Sequence, residues 1–305
     1  MNANDNCLDK KFLGLITRCK DEFFVGEFCK YYLSQGVDLI YIIDDDSNDK
    51  SIYDNIKKNH NVNVIFKKNV LGDGSENSHE MDEVNNLYRE IKNDFVWIIS
   101  VDVDEFITTK KNIKKTIKDE LKTTFKDADC IKVPWVMMSC NNKEKNPKSI
   151  LRENVYRWNH DKKHRTHPLK KNWNFRCRYN ETEVKCIFKS NKWNKIAVHY
   201  PKYSVGNCKI VDSINNHQQK VLYRNHSKLR ESDIKEGYLL CYHYRIISVE
   251  NCKKKIKNSI ETNNPVGKLG YGYITLKDMM KSDFPEVYDE TLKIKINNIG
   301  GGDGK

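Results

Sequence analysis

Phe95-Val96-Trp97-Ile98-Ile99-Ser100-Val101-Asp102-Val103-Asp104-Glu105-Phe106 is the stretch on which the fold turns. Its first seven residues follow Asn93-Asp94 and are mostly β-branched or aromatic, the composition of a buried strand. Three acids then close it. Unpaired carboxylates in a dry setting are costly, so a buried strand ending this way demands a cation. On a continuing extended backbone, Asp102 and Asp104 point to one face and Glu105 to the other. A divalent ion held by one or two carboxylates and by a substrate diphosphate fits that pattern. A plain acidic turn at a strand end fits the bare Asp-x-Asp as well.

Upstream, apolar runs alternate with amphipathic ones. Phe12–Thr17 reads as a strand, and Asp21–Ser34 as a helix with Phe24, Phe28, Tyr31 and Tyr32 on one stripe and Gly36 as its stop. Leu39–Ile43 is a second strand. It ends in Asp44-Asp45-Asp46-Ser47-Asn48-Asp49, which supplies N-cap residues for a helix through about Lys58. Val62–Phe66 is a third strand, and a loop with Gly72 and Gly74 leads to a helix over about Glu80–Lys92. This alternation predicts an α/β, Rossmann-like fold: a mostly parallel sheet with helices on both faces and right-handed crossovers. Ligands of such sheets sit at the carboxyl ends of the strands. Thr17-Arg18, Asp44-Asp45 and Asp102-Asp104 all fall there.

The chain has 305 residues, enough for one large domain with an ample core. Apolar content is low at 38% and charge high at 31%, but 10% aromatics argue against disorder. The net charge of +12 comes from lysines spread along the chain, with no basic arm, zinc-finger spacing or RNA-binding aromatic signature. General solubility plus a phosphate-facing cleft accounts for it better than nucleic-acid binding. None of the ten cysteines forms a Cys-x-x-Cys pair. The start, Met1–Asn6, has no signal-peptide pattern, and no apolar run nears the roughly 20 residues of a membrane span. A cytoplasmic protein with reduced cysteines and no transmembrane segment is expected. The sequons at Asn180 and Asn225 then carry little meaning.

The pattern changes from about Asn141. Lys143–Lys171 is polar and reads as a long loop or flap. Glu183–Phe188, Ile196–Tyr200 and Tyr238–Tyr244 are strand-like, and a basic helix runs from Ser248 to about Glu261. His160, His164 and His167 read as loop histidines, because Pro168 argues against one helix carrying all three. Trp135 and Trp173 suit core packing, with sugar stacking as the alternative.

Three segments in this order resemble the GT-A glycosyltransferases of the family 2-like and family 92-like kinds. They are Leu15-Ile16-Thr17-Arg18-Cys19-Lys20-Asp21-Glu22, then Gly36–Asp49, then Trp97–Phe106. The resemblance covers roughly residues 12–140. Fainter echoes follow at Lys185–Lys189, His199 and Cys241–Tyr244.

It implies a nucleotide-sugar-binding half over 1–140, an acceptor-side half over 141–299 and a flexible tail at 300–305. By position, Thr17, Arg18, Asp44 and Asp45 would surround base and ribose. Asp102 and Asp104 would be the catalytic pair that binds Mn²⁺ or Mg²⁺, with His243 as third metal ligand and His199 as runner-up. Lys185 and Lys189 would face phosphate, and Glu105 and Phe106 would be structural. The base for an acceptor hydroxyl stays open among Asp161, Glu181, Glu183 and Asp212. The expectation is a metal-dependent transferase that takes a UDP-sugar to a glycan or glycoprotein hydroxyl. A nucleotidyltransferase is the rival, although Leu15-Ile16-Thr17-Arg18 lacks its Gly-rich phosphate loop. A non-catalytic basic nucleic-acid-binding protein is the other alternative. A haloacid-dehalogenase-type phosphatase would place Asp-x-Asp on the first strand.

Overall fold

The computed structural model describes residues 10–68, 81–162, 164, 177–178, 181–218, 227–261 and 275–300. Gly72, Gly74, His167, Trp173, Asn180, Asn225 and residues 301–305 lie outside them.

Four strands, β1 (Lys11–Cys19), β2 (Leu39–Asp45), β3 (Val62–Lys67) and β4 (Phe95–Ser100), lie in the order β4-β1-β2-β3. All three pairings are parallel. Successive side chains of a strand face opposite sides. Leu13 and Leu15 accordingly join the core under α1 (Val25–Ser34), while Ile16, Tyr41 and Ile43 pack with α2 (Asp82–Ile91). Gly14 has no room for a side chain, since a Cβ there would lie 2.8 Å from the Phe95 ring. The α/β class, with a parallel sheet between helices, is the one that the strand–helix alternation predicts.

Two local expectations give way to side-chain chemistry. Asp44–Asp49 starts no helix through Lys58; only a 3-10 turn forms at Lys50–Tyr53, N-capped by Asp49. Asp, Ser and Asn side chains bond the nearby backbone here and compete with the helix. Beyond β4 the backbone turns, with the Glu105 N–H donating to the Asp102 carbonyl at 3.0 Å. Asp102 and Asp104 therefore share no strand face, and a new strand, β5 (Glu105–Thr109), begins at once.

After α3 (Ile117–Lys122) comes β6 (Cys130–Ser139), ten residues long and buried throughout. Pro134 and Lys132 mask it in the sequence, because proline normally excludes a central strand. The segment expected to be a flap forms, in its described part, α4 (Ile150–Glu153) and β7 (Tyr156–Arg157). Next are β8 (Cys177–Arg178), β9 (Glu181–Thr182), β10 (Val184–Lys189), and the hairpin of β11 (Trp193–Ile196) and β12 (Pro201–Ser204). The expected strand Ile196–Tyr200 is mostly the turn of that hairpin. The chain continues through β13 (Ile210–Val211), β14 (His217–Gln218), β15 (Ser227–Lys228), α5 (Glu231–Glu236) and β16 (Leu239–His243). It then forms α6 (Val249–Glu261), α7 (Leu276–Met280), β17 (Val287–Tyr288) and α8 (Thr291–Gly300).

The large sheet runs β14-β13-β6-β10-β4-β1-β2-β3, with β10 antiparallel to both its neighbours. β6 pairs with β13 through Cys130 and Ile131 and with β16 through Trp135–Met137. Pro134 falls in the gap between these two partners, where a missing N–H does least harm. β16 also pairs antiparallel with β5, setting His243 opposite Glu105. Two tyrosines of α1 hold β5 in place. The Tyr31 hydroxyl donates to the Ile107 carbonyl and that of Tyr32 to the Glu105 carbonyl, both at 2.9 Å. Phe106 packs edge-on between the rings of Phe28, Tyr31 and Tyr244.

A buried ion cluster fastens the C-terminal segment to the sheet. Arg157 forks onto Glu231 at 2.7 Å through both terminal nitrogens and reaches Asp289 at 2.9 Å. Asp289 also takes Lys110 at 3.2 Å and the Tyr242 hydroxyl at 3.0 Å. Burial alone would raise the Asp289 carboxyl, but Lys110, Thr291 and Arg157 outweigh it and hold it at about 2. Asp289→Asn should destabilise the protein by about 3–5 kcal/mol at neutral pH, the scale for breaking a buried pair. A depressed carboxyl stabilises above its unfolded pKa, and that stabilisation is lost as pH falls through the folded value. Between pH 4 and about 2, set by the ordinary value of 3.8 and the shifted one, denaturant titrations should show a shallower loss of stability for the variant than for wild type.

Candidate active site

Register brings the sequence's scattered polar residues to one edge. Ile16 lies level with Ser100 in the β1–β4 pairing, so Thr17 and Arg18 project past the carboxyl end of β4, beside Asp102. β10 runs the other way and pairs Cys186 with Ser100, which brings Lys185 to the same edge. His243, opposite Glu105, arrives through β16.

Arg18 Nη2 approaches one Asp102 oxygen at 3.1 Å, and Lys185 Nζ the other at 2.8 Å. Lys185 is 2% exposed. Its ammonium also lies 3.2 Å from Glu105 Oε2 and donates to the Val198 carbonyl at 2.9 Å. Asp104 takes Lys255 of α6 at 3.0 Å, and His243 Nε2 lies 3.6 Å from its other oxygen. The site thus sets two carboxylates among Arg18, Lys185 and Lys255.

The protonation pattern follows from these contacts. Burial would raise Asp102, but Lys185 and then Arg18 hold it well below the usual carboxylate range. Lys255 and then His243 do the same for Asp104 against its burial. Burial would also neutralise Lys185, but Asp102 and then Glu105 keep it charged. Glu105 is pushed up, by burial first and by the Asp102 and Asp104 charges next, against the pull of Lys185. Burial pushes His243 down, with Asp104 opposing, so its imidazole tends to the neutral form that ligates metals.

Several sequence expectations need correction. Glu105 does not turn away: its Oε2 accepts the Asp102 N–H at 2.8 Å and faces Lys185. The turn at Asp102–Glu105 reverses the alternation that an extended strand would impose. Lys189 leaves the site. It lies opposite Trp97 at the far end of β10, about 13 Å along the strand from Lys185, and pairs with Asp129 at 3.1 Å. Asp44 is consumed internally, accepting from the Ser47 N–H at 3.1 Å and from the Ser47 and Tyr53 hydroxyls. That carboxylate rivets the loop after β2 and is not presented to a nucleoside. Asp45 is buried at the same edge, its carbonyl taking the Lys20 ammonium at 2.9 Å. Thr17 and Arg18 line a narrow cleft with Ser100, Asp102, Lys185 and Val198.

Among the candidate bases, Asp161 accepts the Glu231 N–H at 3.2 Å and Asp212 ties its own turn at Ile214 and Asn216. The Glu181 backbone lies opposite that of Arg178 in the antiparallel pairing of β8 and β9. Glu183 is fully buried, with Oε2 4.0 Å from His199 Nδ1. His160 accepts the Met137 N–H at 3.3 Å and is driven down to about 3, by burial first and by Arg157 next. His164 bonds Glu286 at 2.7 Å. Both are structural. Trp135 lies against His243 at 4.2 Å and His199 at 5.4 Å between ring centroids, so it belongs to the site wall as well as the core.

Three participants were not singled out in the sequence. Lys255 was hidden in the run Lys253-Lys254-Lys255, and only the helical phase of α6 separates it from its neighbours. Lys254 instead donates to the Asp21 carbonyl at 2.7 Å. Glu22 lies in the fields of Lys255 and Asp104, and burial is the main cause that raises its carboxyl. Glu105, expected to be structural, faces Lys185 as well.

Among the described residues, no three His, Cys, Asp or Glu side chains form a ready metal cage. A larger cavity of about 430 Å³ lies between β2, β3 and α2, lined by Ile43, Ile65, Lys67 and Glu83 among others, and none of the residues above borders it. No described helix is long and apolar enough to cross a membrane.

No protein-family model matches this sequence, and no curated protein matches it either. Among solved structures, S. aureus TarS 1–349 aligns over 59% of this chain and 47% of its own, with a TM-score of 0.30 and 14% identity. The same fragment in complex with UDP aligns over 47% of this chain and 40% of its own, with a TM-score of 0.29 and 18% identity. The chain spans less than half the length of these neighbours. Likeness of this degree assigns neither a substrate nor a residue.

Removing the buried ammonium should expose the repulsion it holds in check. Lys185→Met should cost about 3–5 kcal/mol. Adding Glu105→Gln should return at least about 1 kcal/mol, the range of coupling between residues in direct contact. Urea denaturation of the four proteins in the cycle measures this. Additive losses would mean that Lys185 and Glu105 do not interact.

Proposed function

We propose that this chain is a GT-A glycosyltransferase, a metal-dependent enzyme that moves a sugar from a nucleotide-sugar, a UDP-sugar, to a hydroxyl of a glycan or glycoprotein. The observation that carries the reading is the meeting of Asp102 and Asp104 with Arg18, Lys185 and Lys255 at the carboxyl edge of the parallel strands. Breaking a glycosyl–phosphate bond builds negative charge on the departing nucleoside diphosphate and positive charge on the sugar. Fixed cations in a partly buried site stabilise the first, because they need no reorganisation as it develops.

Mn²⁺ or Mg²⁺ fits the donor set, with Asp102, Asp104 and His243 as its ligands. The imidazole Nε2 and an Asp104 oxygen already converge at 3.6 Å. Metal sites of this kind take one or two carboxylates and complete themselves with substrate phosphates, so a full protein cage is not required. When bound, the ion supplies Lewis-acid stabilisation of the leaving diphosphate. Arg18 and Lys185 would hold phosphate oxygens, and Thr17 and Asp45 would line the nucleoside end. The division into a donor half over 1–140 and an acceptor half over 141–299 belongs to this reading, as does a cytoplasmic location.

UDP should raise the melting temperature more with Mn²⁺ than without it, because a ligand that binds only the folded state stabilises that state. Asp104→Asn should remove the metal-dependent increment and abolish release of UDP from UDP-sugars. Asp45→Ala should weaken UDP binding by roughly 1–3 kcal/mol, the cost of leaving buried donors unpaired, with the metal requirement unchanged. Turnover undiminished in EDTA, or no UDP stabilisation with Mn²⁺, would sink the reading.

A further inference from the structure

Behind the Asp102–Asp104 edge stands a second acid–imidazole pair, Glu183 with His199. Glu183 is fully buried on the short link between β9 and β10, and its Oε2 lies 4.0 Å from His199 Nδ1. The same Nδ1 lies 3.1 Å from the Val184 carbonyl. A carbonyl can only accept, so Nδ1 carries the proton and the basic lone pair belongs to Nε2. This tautomer comes from a single geometric fact.

The ring is placed with care. His199 follows Val198, whose carbonyl receives Lys185, which in turn holds Asp102. Its imidazole meets Trp135 edge-on at 5.4 Å, and the same indole packs on His243 at 4.2 Å, beside Asp104. The turn that carries it is pinned to α2. Asn85 accepts the Ile196 N–H at 2.8 Å and donates to the Ile196 carbonyl at 3.0 Å. The His199 side chain is 15% exposed, so the ring is held by the protein yet reaches solvent.

We infer that His199 is the general base of the transfer and Glu183 the positioning residue behind it. This rests on the glycosyltransferase reading above. In the step, His199 Nε2 takes the acceptor hydroxyl proton as the acceptor oxygen bonds to the sugar anomeric carbon. The bond from that carbon to the phosphate oxygen breaks, and its electron pair leaves with the nucleoside diphosphate. The proton ends on the imidazole, and the Glu183 carboxylate stabilises the imidazolium across 4.0 Å. Attack opposite the leaving group inverts the anomeric configuration.

The test uses the full chain, Mn²⁺ and UDP-glucose, UDP-galactose or UDP-N-acetylglucosamine, with water as the acceptor. UDP release and, by proton NMR, the first anomer formed are followed. His199→Ala should lower kcat roughly 10²–10⁴-fold, the span of general-base contributions, with KM and Mn²⁺-dependent UDP binding unchanged. Added imidazole should restore part of the rate. His199→Gln fills the space and still donates to the Val184 carbonyl, so it separates lost chemistry from lost packing, and it should be as slow as the alanine variant. Glu183→Gln should lower kcat about 10-fold or more without changing KM. An active wild type beside an equally active His199→Gln, or release of the retained anomer, overturns the dyad alone. A wild type that binds no UDP with Mn²⁺ overturns the proposed function, and this inference with it.

Discussion

The ammonium of Lys185 is the contact on which the site's construction depends. It sits 2% exposed between Asp102 at 2.8 Å and Glu105 at 3.2 Å, and it crosses from β10 to the turn that joins β4 to β5. A charge so deeply buried is tolerated only with its partners in place. The pairing therefore specifies which way the chain leaves β4. With Glu105 drawn inward, β5 must start at once, and β16 then brings His243 to the same edge.

Packing reinforces this electrostatic choice. Tyr31 and Tyr32 of α1 bond the backbone of β5 directly, and Phe106 fills the space among three rings. Strand and helix thus confine the turn from the apolar side, while Arg18, Lys185 and Lys255 confine it from the polar side. The Arg157–Glu231–Asp289 cluster plays a separate part, tying the last segment to the sheet beneath. Its groups bond one another, whereas Arg18, Asp102 and Lys185 also border a narrow cleft. That difference is the reason the ligand site is proposed at the second cluster and not at the first.

His199 illustrates how a modest local signal acquires meaning. In the sequence it is one of nine histidines. In the fold its Nδ1 faces a backbone carbonyl and a buried carboxylate, and its ring shares an indole with His243. Trp135 joins two imidazoles, His199 and His243, that are 44 residues apart in the chain.

The strands β1 to β4, the helices α1 and α2, and the edge where Thr17, Arg18, Asp45 and Asp102 gather were legible from residue order alone. Apolar periodicity is a local property, and a parallel sheet aligns strand ends by its own regularity. The sequence also showed where acids accumulate, but not what each acid does. Asp44 and Asp102 look alike in a row of letters; one is spent on Ser47 and Tyr53, the other is held by Arg18 and Lys185. Lys185 and Lys189 share a strand yet lie at opposite ends of it, a matter of antiparallel register. β6 is not legible in the sequence because Pro134 is acceptable only where two partner strands change over, and those partners come from much later in the chain. Non-local pairing decides such questions, since the charge that a buried carboxylate meets is chosen by the strand beside it.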